Sequence, residues 1–432
     1  MISKKHLYKK AVIAFLILWA GIIVFSYTFL YFNLNRDIRI LEGQSHYVNI
    51  TLPFVYVRAE VVCEDKKDIL KINGNPEPEP GPLNETLDLE AVNNGEVTLE
   101  FSLLGVLPLR SVTINVLPET KVVPGGQSIG INLHSEGVIV VEHYQLEETG
   151  TSPAREAGIE KGDTLVAVEG ESVNDVNHTA RLLEKHARKG KFSVTVKREG
   201  EEREITVNPQ YSESEGGYRL GIYIRDNAAG VGTLTFYHPE TGRYGALGHI
   251  IMDIDTREPV EIKNGKIVNA NIVNIKKADP GEPGEKTGLF FEEEGVLGSI
   301  DKNTSHGIYG SIHYPDRLER SHVRPLPVGL SSQLEKGPAR ILTVVEDQSI
   351  DSYQVEIKDV SLQSSPGDKG FILKVTDPEL LEKTGGIVQG MSGSPVIQDG
   401  RLVGAVTHVF VNNPRQGYGV FAEWMVEEAD IF

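Results

Sequence analysis

Between Ala11 and Leu34 the chain carries no charged residue, and most of that run is apolar: Ala11-Val-Ile-Ala-Phe-Leu-Ile-Leu-Trp-Ala20, then Gly21-Ile-Ile-Val-Phe25. It exceeds the ~20 residues that a helix needs to cross a hydrocarbon layer. A cleavable leader has a shorter apolar core, about 7–15 residues, and ends at a small-x-small site. Here Tyr27 to Asn35 is dominated by large side chains. A buried core helix is the competing reading, but burial beneath a surface would leave a polar stripe, and this segment is apolar all round. Lys4, Lys5, Lys9 and Lys10 precede it, which predicts an amino terminus on the cytoplasmic side. The expectation is a cytoplasmic tip and transmembrane signal anchor over residues 1–35, in a single-pass membrane protein whose bulk is extracytoplasmic.

The whole chain has 432 residues and a formal net charge of −18. Such a surface repels phosphate backbones, so nucleic acid is not an expected partner. One cysteine, Cys63, excludes an internal disulfide and any CxxC metal ribbon. Many Gly and Pro residues point to turn-rich β structure. Residues 36–120 alternate polar and apolar, as in Ser111-Val-Thr-Ile-Asn-Val116, and predict a small β-rich juxtamembrane domain with an exposed loop at Glu77–Pro82.

Residues 121–210 form the next unit. Its densest signal is Ser152-Pro-Ala-Arg-Glu-Ala-Gly-Ile-Glu-Lys-Gly-Asp-Thr-Leu-Val-Ala-Val-Glu-Gly170, which resembles the bacterial PDZ pattern: a short helix leading through Gly158 and Gly162-Asp163 into a strand. Asn177–Arg188 reads as an amphipathic helix with Ala180, Leu183 and Ala187 on its core face. A hairpin is expected around Glu199-Gly200. PDZ domains bind a peptide by strand addition and hold its carboxylate on loop amides. The sequence places that loop at Ser128-Ile129-Gly130-Ile131, followed after the domain by a polar linker at about Pro209–Gly217.

Residues 211–432 again read as short strands divided by Gly and Pro, a barrel-like arrangement. The sharpest chemistry in the chain is Gly390-Met-Ser-Gly-Ser-Pro395, running into a hairpin at Asp399-Gly400. Serine proteases of the trypsin-like and high-temperature-requirement types carry such a loop. Its glycines allow the amides of Gly390 and Ser392 to face one oxyanion, with the Ser392 hydroxyl beside them and Ser394 turned away. A serine needs a base. His249, in Tyr244-Gly-Ala-Leu-Gly-His249, is the expected one and His408 the alternative, whereas His134, His178 and His186 read as structural. Asp377 and Asp253 are the candidate acids. Met391 stands where trypsin-like loops have an acid, so the ion pair to a new amino terminus cannot form. No HExxH occurs, so neither metal nor cofactor is expected, and Gly281-Glu-Pro-Gly-Glu-Lys-Thr287 reads as a turn, not a phosphate loop.

The pairing of Ala246-Leu-Gly-His249 with Gly390–Pro395, the anchor, the PDZ unit, Ile224–Phe236 and Gly404–Asn412 together resemble the stage IV sporulation protein B serine peptidases. The resemblance covers about Val123 onward strongly and the juxtamembrane region weakly. It implies a mainly β protein with a chymotrypsin-like β-barrel-type serine peptidase domain, in which Ser392 is nucleophile, His249 base and Asp377 orienting acid. It also implies a sporulation enzyme, in the space between the two spore membranes, that cuts itself and then a membrane-bound regulatory subunit of an intramembrane protease. That cut would activate the late mother-cell sigma factor. The alternative class is a non-catalytic PDZ adaptor with a protease-like fold.

Overall fold

In a computed structural model, the described residues are 4–33, 37–48, 57–61, 68–75, 86–103, 106–290, 295–318, 324–361, 363 and 365–432. The Glu77–Pro82 loop and Cys63 lie outside them. The chain divides into two compact units. Lys4–Asn33 is a helix, and its Tyr8–Phe29 stretch is long and apolar enough to cross a membrane, with only 6% of its most apolar window buried. The first unit, Met1–Thr120 with Leu362–Ser365 and Phe432, also holds two small sheets. Leu87, Leu89, Leu99, Val112 and Ile114 alternate along their strands and meet in one core.

The second unit contains two barrels and a PDZ domain, and one strand pair belongs to both kinds of structure. Ser128–His143 and Ile222–Tyr237 are each sixteen residues long and run antiparallel over most of that length. At one end of this ribbon, Ile129 to His134 face Asn227 to Gly232. The same end pairs with Ile262–Asn269, which pairs in turn with Val296–Ile300. On the far side, Leu234–Tyr237 pair with Arg243–Ala246, and these with Gly307–Ser311. A bridge between Gly298 and Ile312 completes the ring. Ile129, Ile131, Leu133, Leu234, Ala246, Ile267, Leu297 and Ile308 fill it.

At the other end the ribbon leaves the barrel. Ile139 to His143 remain paired with Ile222 to Arg225, and Thr164–Val168, Phe192–Arg198 and Glu201–Val207 extend the sheet. The PDZ fold is therefore an insertion in the first hairpin of the first barrel, not a bead ahead of it. The expected boundary near residue 210 falls inside this arrangement. Nor is Pro209–Gly217 a free linker: Gln210–Ser212 pairs with Gly217–Arg219, and the Glu148 carboxylate accepts from the Ser212 hydroxyl and the Glu213 amide.

The PDZ helices follow local rules. Pro153–Ala157 has Ser152 as N-cap and Gly158, φ +93°, past its end. Val176–Ala187 is capped by Asp175 and buries Thr179, Leu182, His186 and Ala187. Ala180 is exposed and Leu183 only half-buried, so the expected core face was out of phase by one residue. Glu199 and Gly200 both have positive φ, as a two-residue hairpin requires. The Gly162-Asp163 signature has a structural cause. Asp163, 1% exposed, accepts two bonds from the Arg198 guanidinium, at 2.6 and 2.7 Å, and one from the Glu160 amide.

Residues 337–421 close into a second six-stranded barrel, in the order Gly337–Val344, Ile350–Val360, Phe371–Val375, Gln416–Phe421, Arg401–Val409, Pro395–Gln398. Ile341, Val355, Leu373, Val396, Val406 and Phe421 pack inside it. The chain is mainly β with a barrel in its C-terminal region, as the sequence predicted; that a second barrel forms around the ribbon is a finding of the structure.

Removing one partner of a buried, bidentate ion pair strands the other. Arg198→Ala should lower unfolding free energy by about 3 kcal/mol in urea titrations. Lys185→Ala, which removes an exposed partner of Glu171, should cost under about 1 kcal/mol.

Candidate active site

The Gly390–Ser394 loop enters the second barrel, and its backbone accounting is informative. The amides of Gln389, Met391, Gly393 and Ser394 donate to the carbonyls of Gly284, Val388, Val406 and Met391. Among the described residues, those of Gly390 and Ser392 have no intramolecular acceptor. Two amides either side of Met391 are thus uncommitted, in a loop bent by left-handed φ values of +92° at both Gly390 and Gly393. Met391 is buried in the barrel core and Ser394 is fully buried. Ser392 alone of the two serines is accessible. Its hydroxyl donates to the Thr407 carbonyl at 2.7 Å.

Gly393 also joins the two barrels. A Cβ there would stand 2.1 Å from the Thr233 carbonyl oxygen and 2.5 Å from the Leu247 nitrogen. No side chain fits, so the serine loop lies directly on the turn that carries His249. That turn is itself constrained, with Leu247 at φ +69° and Gly248 at +76°. Leu247 is a buried, non-glycine residue in the left-handed region, which costs about 1–3 kcal/mol that its packing must offset.

His249 and His408 meet with ring centroids 5.1 Å apart. His249 Nδ1 lies 2.9 Å from the Ile250 carbonyl oxygen. A carbonyl only accepts, so a neutral ring keeps its proton on Nδ1 and its lone pair on Nε2. Burial lowers the pKa of His249 from 6.5, opposed by the Ile250 carbonyl and by the charge of Asp368. Burial also lowers that of His408, helped by His249 and opposed by Asp368, whose Oδ2 is 3.9 Å from His408 Nδ1.

Neither sequence-predicted acid reaches this cluster. Asp377 is the N-cap of the Pro378–Thr384 helix: its Oδ1 accepts from the amides of Glu379 and Leu380, its Oδ2 from that of Gln354. The Asp-Pro-Glu sequence around it is a helix start signal, and the carboxylate is consumed by that task. Asp253 is 2% exposed and accepts from the amides of Asp255 and Thr256 while pairing with Arg225 on the PDZ half of the ribbon. The acid near the histidines is Asp368. It stands in a Gly367-Asp-Lys-Gly370 stretch that carries no motif, so nothing local marked it.

The expected carboxylate loop is corrected as well. Ile129, Gly130 and Ile131 lie inside a strand flanked by partners on both sides, Gly230 to Gly232 and Ile267 to Asn269. A Cβ on Gly130 would sit 2.7 Å from Phe290 and from Val268. These residues build the first barrel and offer no edge to a peptide.

One residue at the site went unread in the sequence. The Gly281–Thr287 segment is only partly a turn, because Glu285–Leu289 is a strand. Its Lys286 is 2% exposed, with its stem against Gly390 and its Nζ 2.9 Å from Thr343 Oγ1. Burial brings its pKa from 10.5 down to about 7. Below pH 7 the folded chain must hold a buried ammonium. Between pH 7 and 10.5 the unfolded chain binds a proton that the native one does not, so this residue's penalty fades as pH rises. Lys286→Met should therefore stabilise the protein at pH 7 and flatten its stability profile. The difference between the two proteins should shrink by up to about 1.4 kcal/mol per pH unit toward pH 10 in chemical denaturation.

Comparison with known proteins agrees with this architecture. Residues 216–426 match the model for the SpoIVB peptidase S55 family and residues 128–208 that for the PDZ domain. A "Putative zinc metalloprotease" of Treponema pallidum (strain Nichols) is 26% identical over 129 residues, covering 28% of each chain. A "Probable periplasmic serine endoprotease DegP-like" of Brucella suis biovar 1 (strain 1330) is 29% identical over 177 residues, covering 39% of this chain and 32% of its own. The chain thus spans about a third of the length of these relatives. Among solved structures, the Rv3671c protease from M. tuberculosis in its active form aligns over 47% of this chain and 73% of its own, at 16% identity and a TM-score of 0.26. Each family match takes in one strand of the shared ribbon, and the S55 match takes in both the Ser392 loop and the His249 turn: the chain carries a SpoIVB peptidase S55 domain over residues 216–426 and a PDZ domain over residues 128–208.

Proposed function

We propose that this chain is a membrane-anchored serine endopeptidase in which Ser392 is the nucleophile, His249 the general base, and the amides of Gly390 and Ser392 the oxyanion hole. The observation that carries the reading is the pair of uncommitted amides beside an accessible serine, in a loop pressed against the histidine turn. In the free chain the Ser392 hydroxyl donates a hydrogen bond to the Thr407 carbonyl. A substrate carbonyl docked on the two amides would draw the hydroxyl toward the imidazole. The Nε2 lone pair would take the proton as Oγ attacks, then return it to the leaving amine. The Ile250 carbonyl would hold the tautomer, as a carboxylate does in a Ser-His-Asp triad, and the Asp368 charge would favour the transient imidazolium.

The family points to the physiological role: a sporulation protease, anchored in the forespore membrane with its amino terminus cytoplasmic. It would cleave itself and then the membrane-bound regulatory subunit of an intramembrane protease, initiating processing of the late mother-cell sigma factor. For the PDZ part, the open strand edge is that of Ile222–Asp226, which among the described residues has a strand partner on one side only and lies against the Val176–Ala187 helix. A peptide from the chain's own amino-terminal region or from the substrate would add there.

Incubation of the full chain in detergent tests the assignment. Self-cleavage seen for wild type should disappear in Ser392→Ala and persist in Ser394→Ala; equal loss in both would contradict the assigned nucleophile. His249→Ala should be as inactive as Ser392→Ala, because nucleophile and base act as a unit. Activity confined to the His249 variant and lost in His408→Ala would move the base to His408. Since burial favours the neutral imidazole of His249, activity should hold as pH falls to 6.5 and decline only below it. A decline centred above 6.5 would mean that another group limits the rate.

A further inference from the structure

The residue that touches the Ser392 loop most intimately comes from the other barrel. Thr233 is fully buried near the end of the Ile222–Tyr237 strand. Its Oγ1 donates to the Gly390 carbonyl at 2.8 Å, its amide to the Ser392 carbonyl at 3.0 Å, and its own carbonyl accepts from the Leu247 amide at 3.3 Å. The two loop carbonyls it holds belong to the same residues whose amides are uncommitted. A peptide group is planar, so the two held carbonyls fix the Gly390–Met391 and Ser392–Gly393 planes. The Ser392 amide lies in the one peptide plane between them and the Gly390 amide in the plane just before, and holding both flanking planes restrains the backbone torsions that aim these amides. Loop anchoring elsewhere is different in kind: Thr235 Oγ1 holds the Gly393 carbonyl, beyond the amide pair.

We propose that Thr233 is a positioning residue for the oxyanion hole: its hydroxyl, through the Gly390 carbonyl, sets the aim of the loop amides at the reacting carbonyl. The proposal rests on Ser392 being the nucleophile. Its energetic logic is that a donor serves an oxyanion only within a narrow range of distance and direction, so a loop free to rotate loses rate before it loses binding. Valine keeps the shape of threonine and removes the donor. Serine keeps the donor and removes a methyl group.

The test is covalent labelling of the full-length protein by an alkyl fluorophosphonate, whose phosphoryl oxygen occupies the oxyanion position as Ser392 displaces fluoride. Labelling rate is measured against probe concentration to separate the saturating rate from the half-saturating concentration, and mass spectrometry locates the adduct. Thr233→Val should label at Ser392 with a saturating rate lower by roughly 10- to 100-fold and a half-saturating concentration within about threefold of wild type. Thr233→Ser should recover most of the rate. A merely structural role would lower the melting temperature and weaken probe binding together. Wild-type labelling at Ser392 with an undiminished rate in Thr233→Val overturns the proposal alone, as does a Thr233→Ser protein as slow as Thr233→Val at equal melting temperature. No labelling of wild type at Ser392 overturns the underlying reading and the proposal with it. If Thr233→Val fails to fold, Thr233→Cys, similar in volume and a far weaker donor, takes its place with the same expected and overturning outcomes.

Discussion

Everything functional in the second unit hangs on one antiparallel ribbon, Ser128–His143 against Ile222–Tyr237. Its barrel half lies under the His249 turn and supplies Thr233. Its PDZ half supplies the sheet on which Thr164–Val168 and its neighbours are laid. Backbone hydrogen bonds run along most of its length, broken by register shifts near Arg225 and Asn227. A ribbon of this kind bends at its bulges but does not swing like a polar tether. Arg225, beside one such shift, reaches across to Asp253 and Asp255 in the segment after His249. The open PDZ edge and Thr233, which holds the Ser392 loop, therefore share a strand, and only six residues separate Asp226 from Thr233.

The site itself is assembled from carbonyls as much as from side chains. The Ile250 carbonyl fixes a tautomer, the Thr407 carbonyl accepts a hydrogen bond from the Ser392 hydroxyl, and the carbonyls of Gly390 and Ser392 are pinned by Thr233. Glycine at 393 allows this closeness, since a Cβ would meet backbone at 2.1 Å. The loop also rests on the buried stem of Lys286, whose neutral form burial favours. A charged residue without a counter-ion beneath a catalytic loop weakens the fold at neutral pH. Sites shaped for chemistry commonly carry such costs.

Local features carried a long way. The uncharged Ala11–Leu34 run needed nothing but its own composition to predict a spanning helix. The short Pro153–Ala157 helix ending at Gly158, and the Glu199-Gly200 and Asp399-Gly400 turns, depend on residues within a few bonds of one another, so they could be read directly. The Gly390–Pro395 loop was legible for the same reason: alternate amides are exposed by a glycine-driven backbone path encoded in six consecutive residues.

What only the tertiary structure decided concerns groups whose role depends on distant partners. Asp377 is the acid that the family resemblance implied, but both of its oxygens accept from backbone amides, those of Glu379 and Leu380 at the helix start and that of Gln354, and among the described residues no histidine bonds to it. Asp368 approaches the histidines because Phe371–Val375 and Arg401–Val409 are brought together through Gln416–Phe421 in a closed barrel. Ile129 to Ile131 have the sequence of a peptide-binding turn, yet two strands from later in the chain occupy both of their edges. Burial of Lys286 likewise follows from Gly390 and Thr343 closing over it. The sequence by itself determined the spanning-length apolar helix, the tight turns and the bent Gly390–Pro395 loop with its accessible serine, because those rest on short-range backbone geometry and composition. Pairing between strands distant in sequence determined which acid meets the histidines, which edge stays open, and that the PDZ domain grows out of the barrel, because hydrogen-bonding edges and charges are assigned by whatever packs against them.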